Sequence, residues 1–264
     1  MTSELQPAAG THAETDGQST TRKPRLTERQ RKARGVKLFL RDILLIFVAA
    51  LLISFLIKTF LIRSFYIPSE SMMDTLHVDD RIIVNLLEPE LMPISHGDVV
   101  VFTDPGNWLP GGDEPDTRNP VAVAVDEVLG FVGLSAPDSD DHLIKRVIGL
   151  PGDVVVCCND FGQLTVNGIP LEEPYTELGG RSKATEKEFT VTVPEGSLWV
   201  MGDNRYNSAD SSYHYSGDPD APGTAFVPID NVVGRAVLVT WPLDRWATLD
   251  NYPLVFRGVD SAGD

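Results

Sequence analysis

The sequence predicts a mostly β protein behind one membrane anchor: a single N-terminal transmembrane helix, then an extracytoplasmic, mainly antiparallel β-sheet domain with a long inserted loop. Three observations carry that prediction. Residues 43–62, "ILLIFVAALLISFLIKTFLI", form one apolar run whose only charge is Lys58. From residue 64 onward, short runs rich in Val and Ile alternate with Gly, Pro and Asp, the pattern of strands between turns. Basic residues gather before the apolar run and acidic residues after it.

The run has the roughly 20 residues that a bilayer core requires. Arg41 and Arg63 bracket it, and Lys58 lies near enough to one end for its stem to carry the ammonium to the interface. A buried core helix of this length is seldom apolar on every side. A cleaved signal peptide has a shorter apolar region and a small-x-small site, which "KTFLIRSFYIP" lacks. An uncleaved anchor over 37–63 is therefore expected. Residues 1–42 hold nine Lys and Arg against five Asp and Glu, leaving 13 basic and 33 acidic residues beyond. The positive-inside rule puts the N-terminus in the cytoplasm and residues 64–264 outside. Residues 1–36, rich in Thr, Ser, Gln and charge, read as a disordered cytoplasmic tail. An exterior this acidic lacks the basic stripe that a phosphate backbone needs, so no nucleic-acid partner is expected.

The strands expected in the exterior domain are "RIIVNLL" (81–87), "GDVVVF" (97–102), "HLIKRVIGL" (142–150), "DVVVC" (153–157), "GQLTVNG" (162–168), "EFTVTV" (188–193), "SLWVMG" (197–202) and "NVVGRAVLVTW" (231–241). Residues 103–141 break this rhythm as a turn-rich, acidic insertion, longer than connections inside a compact domain usually are. The two cysteines, Cys157 and Cys158, are adjacent. Their Cα atoms sit about 3.8 Å apart across a trans peptide, below the usual disulfide range; a strained vicinal disulfide is the alternative, and two thiols on opposite faces of a strand are the expectation. They supply no metal site, and no metal or cofactor is expected.

The stretch "SFYIPSESMMDTL" (64–76) follows the anchor directly and holds Ser69 and Ser71. A serine hydroxyl becomes nucleophilic only when a base takes its proton. His77, His96, His142 and His214 sit among polar or turn residues, where a surface role accounts for each, and no Gly-x-Ser-x-Gly elbow is present. Lysine serves as a base if burial lowers its pKa. Lys145 lies in "LIKRVIGL", where strand alternation puts it with Leu143 and Val147 and sets Ile144, Arg146 and Ile148 on the other face. Taken alone, a lysine that snorkels to water explains that pattern equally well.

Four stretches, "IPSESMMDTL" (67–76), "GDVVVF" (97–102), "LIKRVIGLPGD" (143–153) and "GDNRYNSADS" (202–211), resemble the successive sequence boxes of bacterial type I signal peptidases, in that family's order and behind an anchor. The resemblance implies a serine endopeptidase that removes signal peptides from secretory preproteins at the outer face of the cytoplasmic membrane. It implies Ser71 as nucleophile, Lys145 as general base, Ser69 as a side-chain oxyanion donor, Ser208 as the residue orienting the lysine and Asp210 as structural support. It also implies that the segment before the cut binds as an added strand, with small residues, usually Ala, at −1 and −3. Phe65, Ile67, Pro68, Met72, Leu76, Ile82, Val101 and Ile144 match positions lining the shallow pockets for them; plain core explains each of these residues as well.

The chain departs from the family pattern at two places. Asp74 replaces a common proline three residues past Ser71, and a carboxylate there disfavours a neutral Lys145 unless it points to solvent. Ser212 stands where an arginine often pairs with the aspartate of the last box. Two rivals remain. A self-cleaving repressor of the SOS-response type shares Ser-Lys chemistry, but requires a DNA-binding module and a cytoplasmic location. A membrane-anchored β-rich binding module with an inactive site is opposed by intact Ser71, Lys145 and Ser208.

Overall fold

The computed structural model describes residues 28–106, 108–109, 142–218 and 225–259. The greater part of the expected tail (1–27) and of the expected loop (107 and 110–141) lies outside the described residues. The chain divides into two compact units, residues 1–51 and 52–264.

Helix α1 runs from Glu28 to Phe60. It begins before residue 37, where the anchor was expected, because "ERQRKARGV" contains no proline and only Gly35 as a weak helix former. Within it Lys37–Ile57 has a mean hydropathy of 2.5 and is not buried inside the protein, so it is long and apolar enough to cross a membrane. The helix stops before Arg63, and Ile62–Tyr66 forms strand β1 instead. The Leu61 carbonyl already accepts the Leu86 N–H at 2.9 Å, so the chain enters the sheet as it leaves the helix.

The other strands are β2 (Arg81–Asn85), β3 (Val99–Thr103), β4 (His142–Gly149), β5 (Val154–Cys157), β6 (Leu164–Val166), β7 (Ile169–Pro170), β8 (Phe189–Thr192), β9 (Ser197–Met201), β10 (Val227–Pro228), β11 (Val232–Trp241) and β12 (Ala247–Thr248). They form two sheets. One has the order β1-β2-β11-β3-β4-β9-β10, with β12 on β11; the other is β7-β6-β5-β8. Every strand pairing is antiparallel, as the Val- and Ile-rich runs between tight turns predict. A short helix α2, Ser211–His214, follows β9.

Strand β4 matters most for the site. It lies between β3 and β9, with Val100 opposite Lys145 and Val101 opposite Ile144. All but its first residue are buried. Leu143 and Val147 pack with Val100, Phe102 and Leu198, whereas Ile144 packs with Phe65, Met72 and Leu76. This is the alternation of faces read from the sequence, here with both faces covered. A lysine at the middle of such a strand has little access to water.

The cysteines differ from the expectation. Cys157 and Cys158 are joined as a vicinal disulfide. β5 ends at Cys157, as the run "DVVVC" does, so Cys158 lies beyond the strand and the pair takes the disulfide alternative.

Candidate active site

Ser71 sits on the loop between β1 and β2, a segment held in place by packing rather than by strand pairing. Met72 and Leu76 are fully buried beside it, and the Leu76 N–H donates to the Met72 carbonyl at 2.8 Å. These two apolar anchors turn the loop inward, so Ser71 itself is 7% exposed. Lys145 arrives from β4, and its Nζ donates to Ser71 Oγ at 2.7 Å and to the Ile144 carbonyl at 2.9 Å. Ser69 Oγ stands 3.2 Å from Ser71 Oγ. Among the described residues these are the partners of the Ser71 hydroxyl, and none is a histidine. His96 instead meets Asp153 at 2.7 Å, His142 packs on Phe65 and His214 stacks on Trp108.

Burial dominates the electrostatics of Lys145. Its side chain is almost wholly enclosed, and desolvation of the ammonium pulls its pKa down to about 8 against the opposing pull of Asp210 and Asp203. Both carboxylates are engaged elsewhere. Asp203 is gripped by Arg146, Nε to Oδ1 at 2.9 Å and Nη2 to Oδ2 at 2.7 Å, with both side chains fully buried. Thr75 Oγ1 adds a bond to Asp203 Oδ2 at 2.5 Å, and the Arg146 guanidinium lies 4.1 Å over the Tyr175 ring. Asp203 is thus largely neutralised by its own partner and leaves the lysine's depressed pKa standing.

Asp210 accepts the Gly202 N–H at 2.9 Å on Oδ2, and the Ser212 hydroxyl and N–H at 2.7 and 3.0 Å on Oδ1. The support expected from an arginine at position 212 comes here from the Ser212 hydroxyl and the first turn of α2. Asp74 is exposed and is not among the charges acting on Lys145, which removes the objection raised by its place in the sequence.

Gly202 is a functional position that the sequence reading passed over. A Cβ built there would overlap Ser208 Oγ and the Ser71 carbonyl oxygen, so only a glycine lets the segment after β9 close on Ser71. Its signal in the sequence was a glycine ending a predicted strand, a frequent mark of close backbone approach. Ser208 lies against Gly202, but its buried Oγ has no hydrogen-bond partner among the described residues, and the expected bond to Lys145 is not formed. Of the expected pocket residues, Phe65, Ile67, Met72, Leu76, Ile82, Val101 and Ile144 fall into one buried cluster, whereas Pro68 is exposed on the loop. The buried Arg146–Asp203 pair was also not singled out from the sequence.

A serine hydroxyl bonded to an amine of lowered basicity, with a second hydroxyl alongside, is chemically suited to acyl transfer. Residues 40–241 match the family described as signal peptidase, peptidase S26. The chain belongs to the signal peptidase S26 family. A signal peptidase I of Mycobacterium tuberculosis is 40% identical to it over 256 residues, covering 91% of this chain and 84% of that one. A probable signal peptidase I of Mycobacterium leprae is 44% identical over 204 residues, 68% of each chain. A solved signal peptidase I of Enterococcus faecalis V583 aligns at 24% identity with a TM-score of 0.32, over 54% of this chain and 95% of that one, a likeness too loose to bear on the fold. Membership of the signal peptidase family makes the chain a hydrolase of the protease class.

Proposed function

We propose that this signal peptidase is a Ser-Lys endopeptidase that removes signal peptides from secretory preproteins at the outer face of the cytoplasmic membrane, with Ser71 as nucleophile and Lys145 as general base. The observation that carries the reading is the 2.7 Å contact between Ser71 Oγ and the buried Lys145 amine. Neutral Lys145 takes the Ser71 proton as Oγ attacks the scissile carbonyl. The carbonyl π pair moves onto oxygen, where the Ser71 N–H and the Ser69 hydroxyl donate to it. Collapse of the tetrahedral intermediate expels the new amine, which takes its proton from Lys145. Water, deprotonated by the same lysine, then cleaves the ester on Ser71 and restores the enzyme.

Ser208 is assigned as the residue that orients Lys145: its buried, unpartnered hydroxyl is available to the amine once a substrate closes the site. Asp210 supports it by holding Gly202 and Ser212. The segment before the cut adds as a strand, with main-chain bonds supplying affinity. Phe65, Ile67, Met72, Leu76, Ile82, Val101 and Ile144 wall the pockets for −1 and −3, with Pro68 at the rim. These walls are close-packed at 8% exposure or less, which favours Ala over longer side chains. The basic flank before the apolar run supports a cytoplasmic N-terminus and a catalytic domain outside. The test is cleavage of a secretory precursor by the detergent-solubilised full chain, with the product sequenced. Wild type cuts after a small residue and a folded Ser71→Ala variant does not; an equally active Ser71→Ala would refute the assignment.

A further inference from the structure

The loop bearing Ser71 belongs to no strand, and its orientation depends on a few backbone bonds. At its start, Ile67 exchanges bonds with the turn before β2: its N–H donates to the Asp80 carbonyl and its carbonyl accepts from the Asp79 N–H, both at 2.9 Å. Within the loop, the Met73 N–H donates to the Glu70 carbonyl at 3.1 Å, a bond that resists rotation of the Glu70–Ser71 peptide within the loop but does not tie it to the rest of the site. Farther along the loop Thr75 Oγ1 donates to Asp203, but the bonds that reach across to the Glu70–Ser71 peptide itself come from Asn204. Its N–H donates to the Ser71 carbonyl at 3.1 Å, and its side-chain Nδ2 donates to the Glu70 carbonyl at 3.2 Å. Asn207 Nδ2 adds a bond to the Glu70 carboxylate at 3.2 Å.

The Glu70 carbonyl and the Ser71 N–H are opposite ends of one planar trans peptide, so fixing the first aims the second the other way. Among the described residues the Ser71 N–H has no protein acceptor, so no bond of its own holds that plane. A flip of this peptide, by paired rotation at Glu70 and Ser71, would leave both side chains nearly in place while turning the N–H away and presenting a carbonyl oxygen instead. Asn204 is itself anchored: Glu177 pairs with it from a neighbouring segment, and the Asn207 N–H donates to its carbonyl at 3.1 Å.

We infer that Asn204 is the positioning residue of the oxyanion hole, holding the Glu70–Ser71 peptide so that the Ser71 N–H faces the reacting carbonyl. The assignment rests on the Ser71–Lys145 reading above. Asn204 acts only through the nucleophile's backbone. Its removal therefore weakens the transition state and leaves ground-state binding and the lysine's titration alone.

The experiment compares the full chain in detergent with Asn204→Ala, and with Asn204→Asp, which keeps the shape but turns the donor into an acceptor. Both retain the backbone bond to Ser71. Three quantities are read: kcat and KM on a precursor peptide across pH, affinity for a peptide aldehyde ending at −1, and affinity for the same peptide with a reduced, carbonyl-free bond. Ser71 Oγ adds to the aldehyde carbon, the π pair moves onto oxygen and the serine proton passes to Lys145, so this probe reports the oxyanion site. The expected result is a kcat about a hundredfold lower, KM within about twofold, aldehyde affinity lowered in step with kcat, and reduced-peptide affinity and pH midpoint unchanged. An unchanged kcat overturns the inference, as does parallel weakening of both probes, a pH midpoint that moves with kcat, or failure of both variants to fold. If wild type does not cleave, or Ser71→Ala cleaves equally well, the underlying Ser-Lys reading fails and takes this inference with it. A Ser71-dependent enzyme indifferent to Asn204 overturns the inference alone.

Discussion

Lys145 is held in a state that is unfavourable for folding and useful for chemistry. Its folded pKa of about 8 lies below the ordinary 10.5, so between those values the unfolded chain binds the extra proton and native stability rises with pH. Below about pH 8 both states are protonated and the burial penalty is felt in full, on the order of 3 kcal/mol from 1.36 kcal/mol per pKa unit. Lys145→Met should therefore unfold at higher denaturant than wild type at pH 7, with the difference vanishing above pH 10.5, while losing activity. Urea titrations at both pH values read this directly; a less stable variant at pH 7 contradicts it. Ser69→Ala should lower kcat by roughly 10²–10³-fold with KM little changed, the usual loss for one oxyanion donor. A change confined to KM would move Ser69 from transition-state stabilisation to substrate binding. At this scale short boxes in the sequence singled out Ser71 and Lys145, whose side chains lie 2.7 Å apart in the structure. The sequence could not supply Asn204, whose bonds join residues 134 positions apart, or the engagement of Asp203 by Arg146.

The candidate site depends on three elements closing on one another: the β1–β2 loop, β4, and the segment between β9 and α2. Gly202 sets their closest approach. Gly202→Ala should displace Ser208 and the Ser71 carbonyl, lowering kcat sharply and costing about 1–3 kcal/mol of stability from overpacking; unchanged kinetics would mean that the segment yields easily. The buried Arg146–Asp203 pair fastens β4 to the same segment. Asp203→Ala leaves a buried guanidinium without its partner and should cost about 3–5 kcal/mol, read as a lower urea midpoint; a loss under 1 kcal/mol would show that the pair is dispensable. The long strands were legible because β-branched runs bounded by Gly, Pro and Asp allow few other structures. β1 was missed because its first two residues, Ile62 and Arg63, closed the expected anchor and no turn separates them from Ser64–Tyr66. β7, β10 and β12, each two residues long, carry no periodicity to detect.

For the whole molecule, the charge asymmetry and the one helix among the described residues that is long and apolar enough to cross a membrane predict topology. Protease added outside spheroplasts should digest the chain beyond residue 63 and spare the basic segment before the helix; protection of the acidic portion would reverse the orientation. The apolar helix and the mostly antiparallel β architecture both followed from hydropathy and turn spacing. Helix α1 starts before its predicted limit because residues 28–36 are charged yet good helix formers, and charge alone had placed them in the tail. The vicinal disulfide was the second choice of the sequence reading because two Cα atoms across a trans peptide lie closer than the usual disulfide range.

The most direct test of the account is the pH dependence of single-turnover cleavage of a precursor peptide by wild type and Lys145→Met. Wild type should climb to a plateau with a midpoint near pH 8, where the buried amine loses its proton, and the methionine variant should fall by at least a hundredfold and lose that midpoint. Retention of both the wild-type rate and its midpoint in Lys145→Met would show that another group takes the Ser71 proton.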